Sequence, residues 1–185
     1  METKEILYAE IDKIGRNYIK TQISNDIFNS KTIINSLFNN CLNFLNKNSL
    51  DGDEYVLFSE ALLHFILTVS VIPSQRKINI DNIEVDIVIP NSKILKLNNE
   101  RALIIHFSKD KNEYISESVK NLSYIQKNLQ NIWIISSKSI NLNLNNFIVS
   151  PFVLNQSQYN SHFSEIIVEI SEFLKNVNYH GLKIL

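Results

Sequence analysis

Asp86 is the residue of this chain whose type and surroundings most readily do chemistry. It sits inside Ile83-Glu-Val-Asp-Ile-Val-Ile-Pro90, an otherwise apolar run. A carboxylate between valine and isoleucine is costly to bury unless a metal, a cation or hydrogen-bond donors meet it. Two accounts follow. Asp86 is either a ligand of a divalent metal or a hairpin-edge carboxylate paired with Arg76 or Lys77. Glu60 and His64, four residues apart on a helical pattern, share one face and extend the candidate set, His64 also reading as a half-buried packing residue. His106, within Ala102-Leu-Ile-Ile-His-Phe107, reads as a base, a metal ligand or a satisfied core histidine. Lys109, next in line with Lys111, stands at a strand end where it can meet a phosphate or simply face solvent.

The remaining reactive types have blander readings. Cys41 lies among Leu37, Phe38, Leu42 and Leu45, so it fills a helical core face, and a single cysteine cannot form an internal disulfide. Trp133 is a core residue, and His162 and His180 have no partner pattern around them. The sequence contains no GxGxxG, GxxxxGK[ST], CxxC or HExxH, which removes the commonest nucleotide and zinc signatures.

Periodicity gives the elements that must position these groups. Apolar residues spaced by three and four predict helices over 4–22, 31–46 and 53–69. The period then becomes two. Residues 76–80 and 83–90 predict a hairpin about Asp81-Asn82, with Ile83, Val85, Ile87 and Ile89 on one face and Glu84, Asp86 and Val88 on the other. A short strand is expected over 92–97, and a central strand over 102–107. A helix over 113–129, strands at 131–136 and 147–149, and a C-terminal helix over 159–177 complete the order. The strand, helix, strand unit at 102–136 implies a parallel right-handed crossover beside the antiparallel hairpin. The fold class is therefore α/β, a mixed central sheet flanked by helices. The division expected is a helical N-terminal extension over 1–50 and an α/β domain over 51–185.

Composition bounds the rest. The chain has 185 residues, 44% of them hydrophobic, enough for a packed core. No apolar run is as long as a membrane span, and the charged N-terminus lacks a following apolar stretch, so a soluble, cytoplasmic protein is expected. The net charge of -1 is spread unevenly: residues 76–138 carry 10 basic against 7 acidic side chains. That mild basicity is compatible with nucleic acid and does not require it.

A glutamate-bearing helix, a hairpin whose second strand carries an aspartate, a buried third strand, a helix and a fourth strand resemble the PD-(D/E)XK nuclease superfamily. The restriction-endonuclease-like fold is thus expected, nearest to the archaeal Holliday-junction resolvases. The resemblance spans about residues 55–136 and rests on Ile83–Ile89 and on Ser108-Lys-Asp-Lys111. It implies Mg²⁺ held by a strand aspartate and a second acid, with a lysine two positions beyond that acid. Carried onto this chain, Asp86 takes the aspartate position and Glu60 the helix glutamate, making them the implied metal ligands; His106 and Lys109 join Asp86 as implied catalytic residues. The acid-x-lysine pair is absent from Ala102–Lys109. One register puts His106 and Ser108 at its two positions; another puts Leu103 and Ile105 there.

Two function classes are thereby expected. One is a Mg²⁺-dependent nuclease, or a nuclease-derived protein binding DNA or RNA. The other is an inactive member of the fold serving as an interaction subunit, with the amphipathic N-terminal helices supplying a dimer or partner surface.

Overall fold

The computed structural model describes residues 3–44, 51–109, 112–149 and 160–179. Within them the chain begins with α1 (Thr3–Ile14), α2 (Arg16–Asn25), α3 (Asn29–Phe44) and α4 (Gly52–Val69). The single helical stretch expected over 4–22 is two helices, because Gly15 between them takes φ 98°, a conformation that ends a right-handed helix. Helix α4 starts where its sequence dictates. The Asp51 side chain accepts from the Glu54 amide at 3.0 Å, and the Glu54 carboxylate accepts from the Asp51 amide at 3.1 Å.

The hairpin follows as β1 (Gln75–Ile80) and β2 (Ile83–Ile89). Its turn residues Asp81 and Asn82 take φ 52° and 65°, the two positive values that let a two-residue loop match the strand twist. Residues 92–97, expected as a strand, form helix α5 (Ser92–Leu97) instead. The cause is local: the Asn91 side chain accepts from the Ile94 amide at 3.0 Å and caps the first turn. Then come β3 (Leu103–Phe107), α6 (Asn112–Leu122), β4 (Ile132–Ser136), β5 (Asn146–Ile148), β6 (Asn160–His162) and α7 (Ile166–Asn176). The C-terminal helix therefore begins later than expected: its first predicted residues pair as β6 beside β5, and a 3-10 turn over Phe163–Glu165 intervenes.

Among the described residues the strands form one six-stranded sheet in the order β1-β2-β3-β4-β5-β6. The pairs β1–β2 and β2–β3 are antiparallel; those from β3 to β6 are parallel. The mixed sheet flanked by helices is as expected, including the crossover through α6. One sheet face, with Ile87, Ile105, Trp133 and Ile135, packs in a cluster with α1 to α4 and α7. The opposite face, with Val88, Ile104, Ile132 and Ile134, packs with Leu95, Ile115 and Leu122. Among the described residues no helix is long and apolar enough to cross a membrane.

Candidate functional site

Three neighbouring strands bring three polar side chains into a row. In the hairpin, Arg76 pairs with Ile87 and Ile78 with Val85, so Lys77 stands opposite Asp86. Between β2 and β3, Ile87 pairs with Ile105, which sets His106 opposite Asp86 on its other side. Residues directly opposite in antiparallel strands share a sheet face, and the side chains meet there. The Lys77 ammonium Nζ donates to Asp86 Oδ1 at 2.5 Å, His106 Nδ1 lies 2.8 Å from Asp86 Oδ2, and the Phe107 amide donates to the same Oδ2 at 3.1 Å. Asp86 is thus bound on both oxygens, and its side chain is 12% exposed.

Burial by itself would push the Asp86 carboxyl up. The hydrogen bonds from His106 and Lys77, the charge of His106 and the Phe107 amide outweigh it, holding the group well below the ordinary carboxylate range. An ionised carboxylate can only accept, so His106 Nδ1 is the atom that donates in this contact, and Nε2 is the ring nitrogen left to face other groups. Lys77 moves the other way. Burial opposes its charge, but its hydrogen bond and attraction to Asp86, then Glu60, raise it above the usual lysine value.

Glu60 enters through Lys77 rather than through direct contact with Asp86. Its Oε1 lies 3.3 Å from Lys77 Nζ and 3.6 Å from Arg76 Nη2. One ammonium therefore bridges two carboxylates. Glu60, Lys77, Asp86 and His106 line an open cleft of about 590 Å³ whose far wall includes Tyr114, Ser118 and Asn121 from α6. Ser108 and the exposed Lys109 line the same cleft, whereas Leu103 and Ile105 are wholly buried under the α4 side of the sheet. The register that names His106 and Ser108 is the one whose side chains reach the cleft.

The other candidates lie elsewhere. His64 lines a separate cleft with Arg76 and Tyr179, and burial, followed by the Arg76 charge, lowers its pKa. Trp133 is core, packed on Phe147 and Phe173, with its indole N–H donating to the Gln130 carbonyl. His162 caps the turn that precedes α7 by accepting from the Ser164 amide. Cys41 is fully buried, and burial, with the Glu10 charge, pushes its thiol up to about 12. His180 and Lys111 lie outside the described residues.

Lys77 is the member that sequence patterning left on the structural side of the ledger, as one of two salt-bridge partners for Asp86. Its backbone carries the signal that pattern cannot. At φ 45° it sits in the left-handed region, which costs a non-glycine residue on the order of 1 kcal/mol.

A divalent cation, implied by the resemblance, can be weighed against the donor set. Among the described residues no group of three His, Cys, Asp or Glu side chains converges closely enough to form a complete protein cage. Mg²⁺ does not need one: it is commonly held by one or two carboxylates while keeping several waters. Asp86 Oδ1 and Glu60 Oε1 already face one common cation, the half-exposed Lys77 ammonium, so hard oxygen donors converge on a point that a flexible side chain can vacate. The residues fit the ion.

No protein-family model and no curated protein matches the sequence. Solved structures do. Metal-depleted Ecl18kI in complex with uncleaved, modified DNA matches with a TM-score of 0.62 at 11% identity, over 100% of this chain and 82% of that one. The restriction endonuclease PspGI in complex with substrate DNA matches with a TM-score of 0.58 at 13% identity, over 95% and 94%. Together with the sheet order and the flanking helices, these matches identify the fold of this chain as restriction-endonuclease-like.

Proposed function

We propose that this chain is a nuclease that binds DNA across the Asp86 cleft and hydrolyses a phosphodiester there with a divalent metal. The carrying observation is the Asp86 carboxylate, hydrogen-bonded on both oxygens and facing an open polar cleft from mid-strand. Its Oδ2 is committed to orienting His106 and to the Phe107 amide, while Oδ1 points at a displaceable cation. Both DNA-bound neighbours share the fold, which favours DNA as the nucleic acid.

Asp86 and Glu60 are the residues that would hold Mg²⁺. Bound there, the ion would offset the charge that builds on the phosphate and lower the pKa of a coordinated water. His106, with Nδ1–H given to Asp86, offers Nε2 to take a proton from the attacking water. Lys109 at the rim offers a cation to the DNA backbone.

A second reading has its own observation. Both carboxylates of the site are already neutralised by Lys77 and Arg76, and among the described residues no third acid joins them. A closed ion-pair network of that kind suits a protein that binds DNA or a partner without cutting. One experiment separates the two: incubation of purified protein with Mg²⁺ or Mn²⁺ and a panel of duplex, branched and single-stranded nucleic acids, beside Asp86→Ala. Cleavage that disappears in the variant supports the nuclease. Binding without cleavage supports the second reading, and cleavage unchanged by Asp86→Ala removes the site altogether.

A further inference from the structure

The fold's usual arrangement takes its lysine from the third strand, and here the lysine register falls on Ser108, just past the end of β3. The ammonium that reaches the acids comes from the other side of the aspartate. We infer that Lys77, on the edge strand β1, is the catalytic lysine of this site, reaching the scissile phosphate and the attacking water from across the hairpin. The inference rests on the nuclease reading above and adds to it the identity and origin of the cation.

Four observations carry it. Lys77 Nζ is within 2.5 Å of Asp86 Oδ1 and 3.3 Å of Glu60 Oε1, so it already occupies the point on which both acids converge. Its side chain is 47% exposed and lines the open cleft, so it can give up those partners when a more highly charged group arrives. Its backbone is held at φ 45°, although residues on either side pair regularly with β2. A simple surface salt bridge between facing strands needs no such distortion, whereas strain retained beside a cleft is a common mark of a functional position. Finally, β1 is a sheet edge, where a residue can leave the regular ladder without orphaning a second neighbour strand.

Lys109 is the competitor, and its place argues for a different job. It is exposed at the cleft rim, beyond the end of β3, and none of its contacts ties it to Asp86 or Glu60 among the described residues. That placement suits attraction of the DNA backbone over contact with the reacting atoms.

The step itself leaves Lys77 chemically unchanged. The water oxygen bonds to phosphorus as the bond from phosphorus to the leaving sugar oxygen breaks. A water proton passes to His106 Nε2, and the leaving oxygen draws a proton from solvent. Lys77 remains an ammonium throughout, and it serves by placing the water and offsetting negative charge on the phosphate.

The test is single-turnover cleavage of a fluorescent DNA substrate with Mg²⁺, in wild type, Lys77→Ala, Lys77→Gln, Lys77→Arg and Lys109→Ala. Alongside it run DNA affinity in Ca²⁺, Mn²⁺ affinity by electron paramagnetic resonance, and thermal unfolding. Removing one preorganised charge donor of this kind lowers the chemical rate by about a hundredfold or more. Lys77→Ala and Lys77→Gln are expected to lose that much at saturating DNA, with Lys77→Arg recovering part of it. Both neutral variants should bind Mn²⁺ more tightly, because the acids no longer share an ammonium. Lys109→Ala is expected to lose activity through weaker DNA binding. A neutral Lys77 variant that folds, binds Mn²⁺ as wild type does and keeps its rate within threefold overturns the inference while the nuclease reading stands. Wild-type protein that binds DNA and never cuts it overturns both.

Discussion

Asp86 shows how much one residue's neighbours decide its chemistry. Burial on an apolar strand pushes its carboxyl up, while His106, Lys77 and the Phe107 amide hold it well below the ordinary carboxylate range. A folded-state pKa below the unfolded one has a definite sign in linkage. The ionised form stabilises the fold above the ordinary value of 3.8, and that contribution is lost as pH falls through the lower folded value. Replacing Asp86 by Asn, which keeps the shape and removes the charge, should therefore lower stability at pH 7 by about 1–3 kcal/mol. In urea denaturation the gap between variant and wild type should narrow steadily as pH drops below 3.8. Equal stabilities at pH 7 would show that the three hydrogen bonds do not favour the charge. Asp86 was legible as a candidate from its apolar flanks alone. Lys77 was legible only as a salt-bridge partner, because a positive φ and a shared ammonium are properties of three dimensions.

At the scale of elements, the parts that pattern revealed are those with a long apolar repeat or a clear alternation around a turn. Helix α4 declares itself through a continuous apolar stripe; the hairpin declares itself through alternation around Asp81-Asn82. The misread pieces are short. Six residues of α5 cannot display a helical period, and Asn91 as a cap was the available hint. The three residues of β6 form a strand only because β5 lies alongside, a contact with no trace in local sequence. Gly15 was visible, yet its meaning depends on φ. At 98°, a Cβ added to Gly15 would meet Tyr18 Cβ at an ordinary 3.8 Å, so the obstacle to a larger residue is conformational rather than steric crowding. Gly15→Ala should cost about 1 kcal/mol, since alanine pays for the left-handed backbone that glycine takes freely. Chemical denaturation measures it, and a more stable variant would mean that α1 and α2 prefer to run as one helix.

The whole molecule places its N-terminal helices where a mere appendage would not be. Leu7, Ile11, Ile19, Ile34, Leu37 and Cys41 are almost fully buried, and they share one cluster with Leu62 and Ile66 of α4 and with Ile87, Ile105 and Ile135 of the sheet. Phe38 of α3 meets Phe58 of α4 edge-on at 5.1 Å between ring centroids and stacks near Tyr55 at 5.9 Å. Helix α4 is thus apolar on more than one side, with Leu62 and Leu63 both at 0% exposure. It carries Glu60 to the site, so the helices that cover its back also fix the position of a proposed metal ligand. Each large aliphatic side chain exposed by removing them forfeits about 1.5–3 kcal/mol of burial, and the stability of a domain this size is only about 5–15 kcal/mol. Losing α1 to α3 uncovers several at once. A chain beginning at residue 51 is therefore expected to aggregate or to unfold without a cooperative transition, and to lose the proposed DNA binding with its fold. Circular dichroism against temperature, with light scattering for size, checks the expectation. A monomeric 51–185 chain that melts cooperatively would show instead that the helices are a detachable cover, leaving them available as a partner surface.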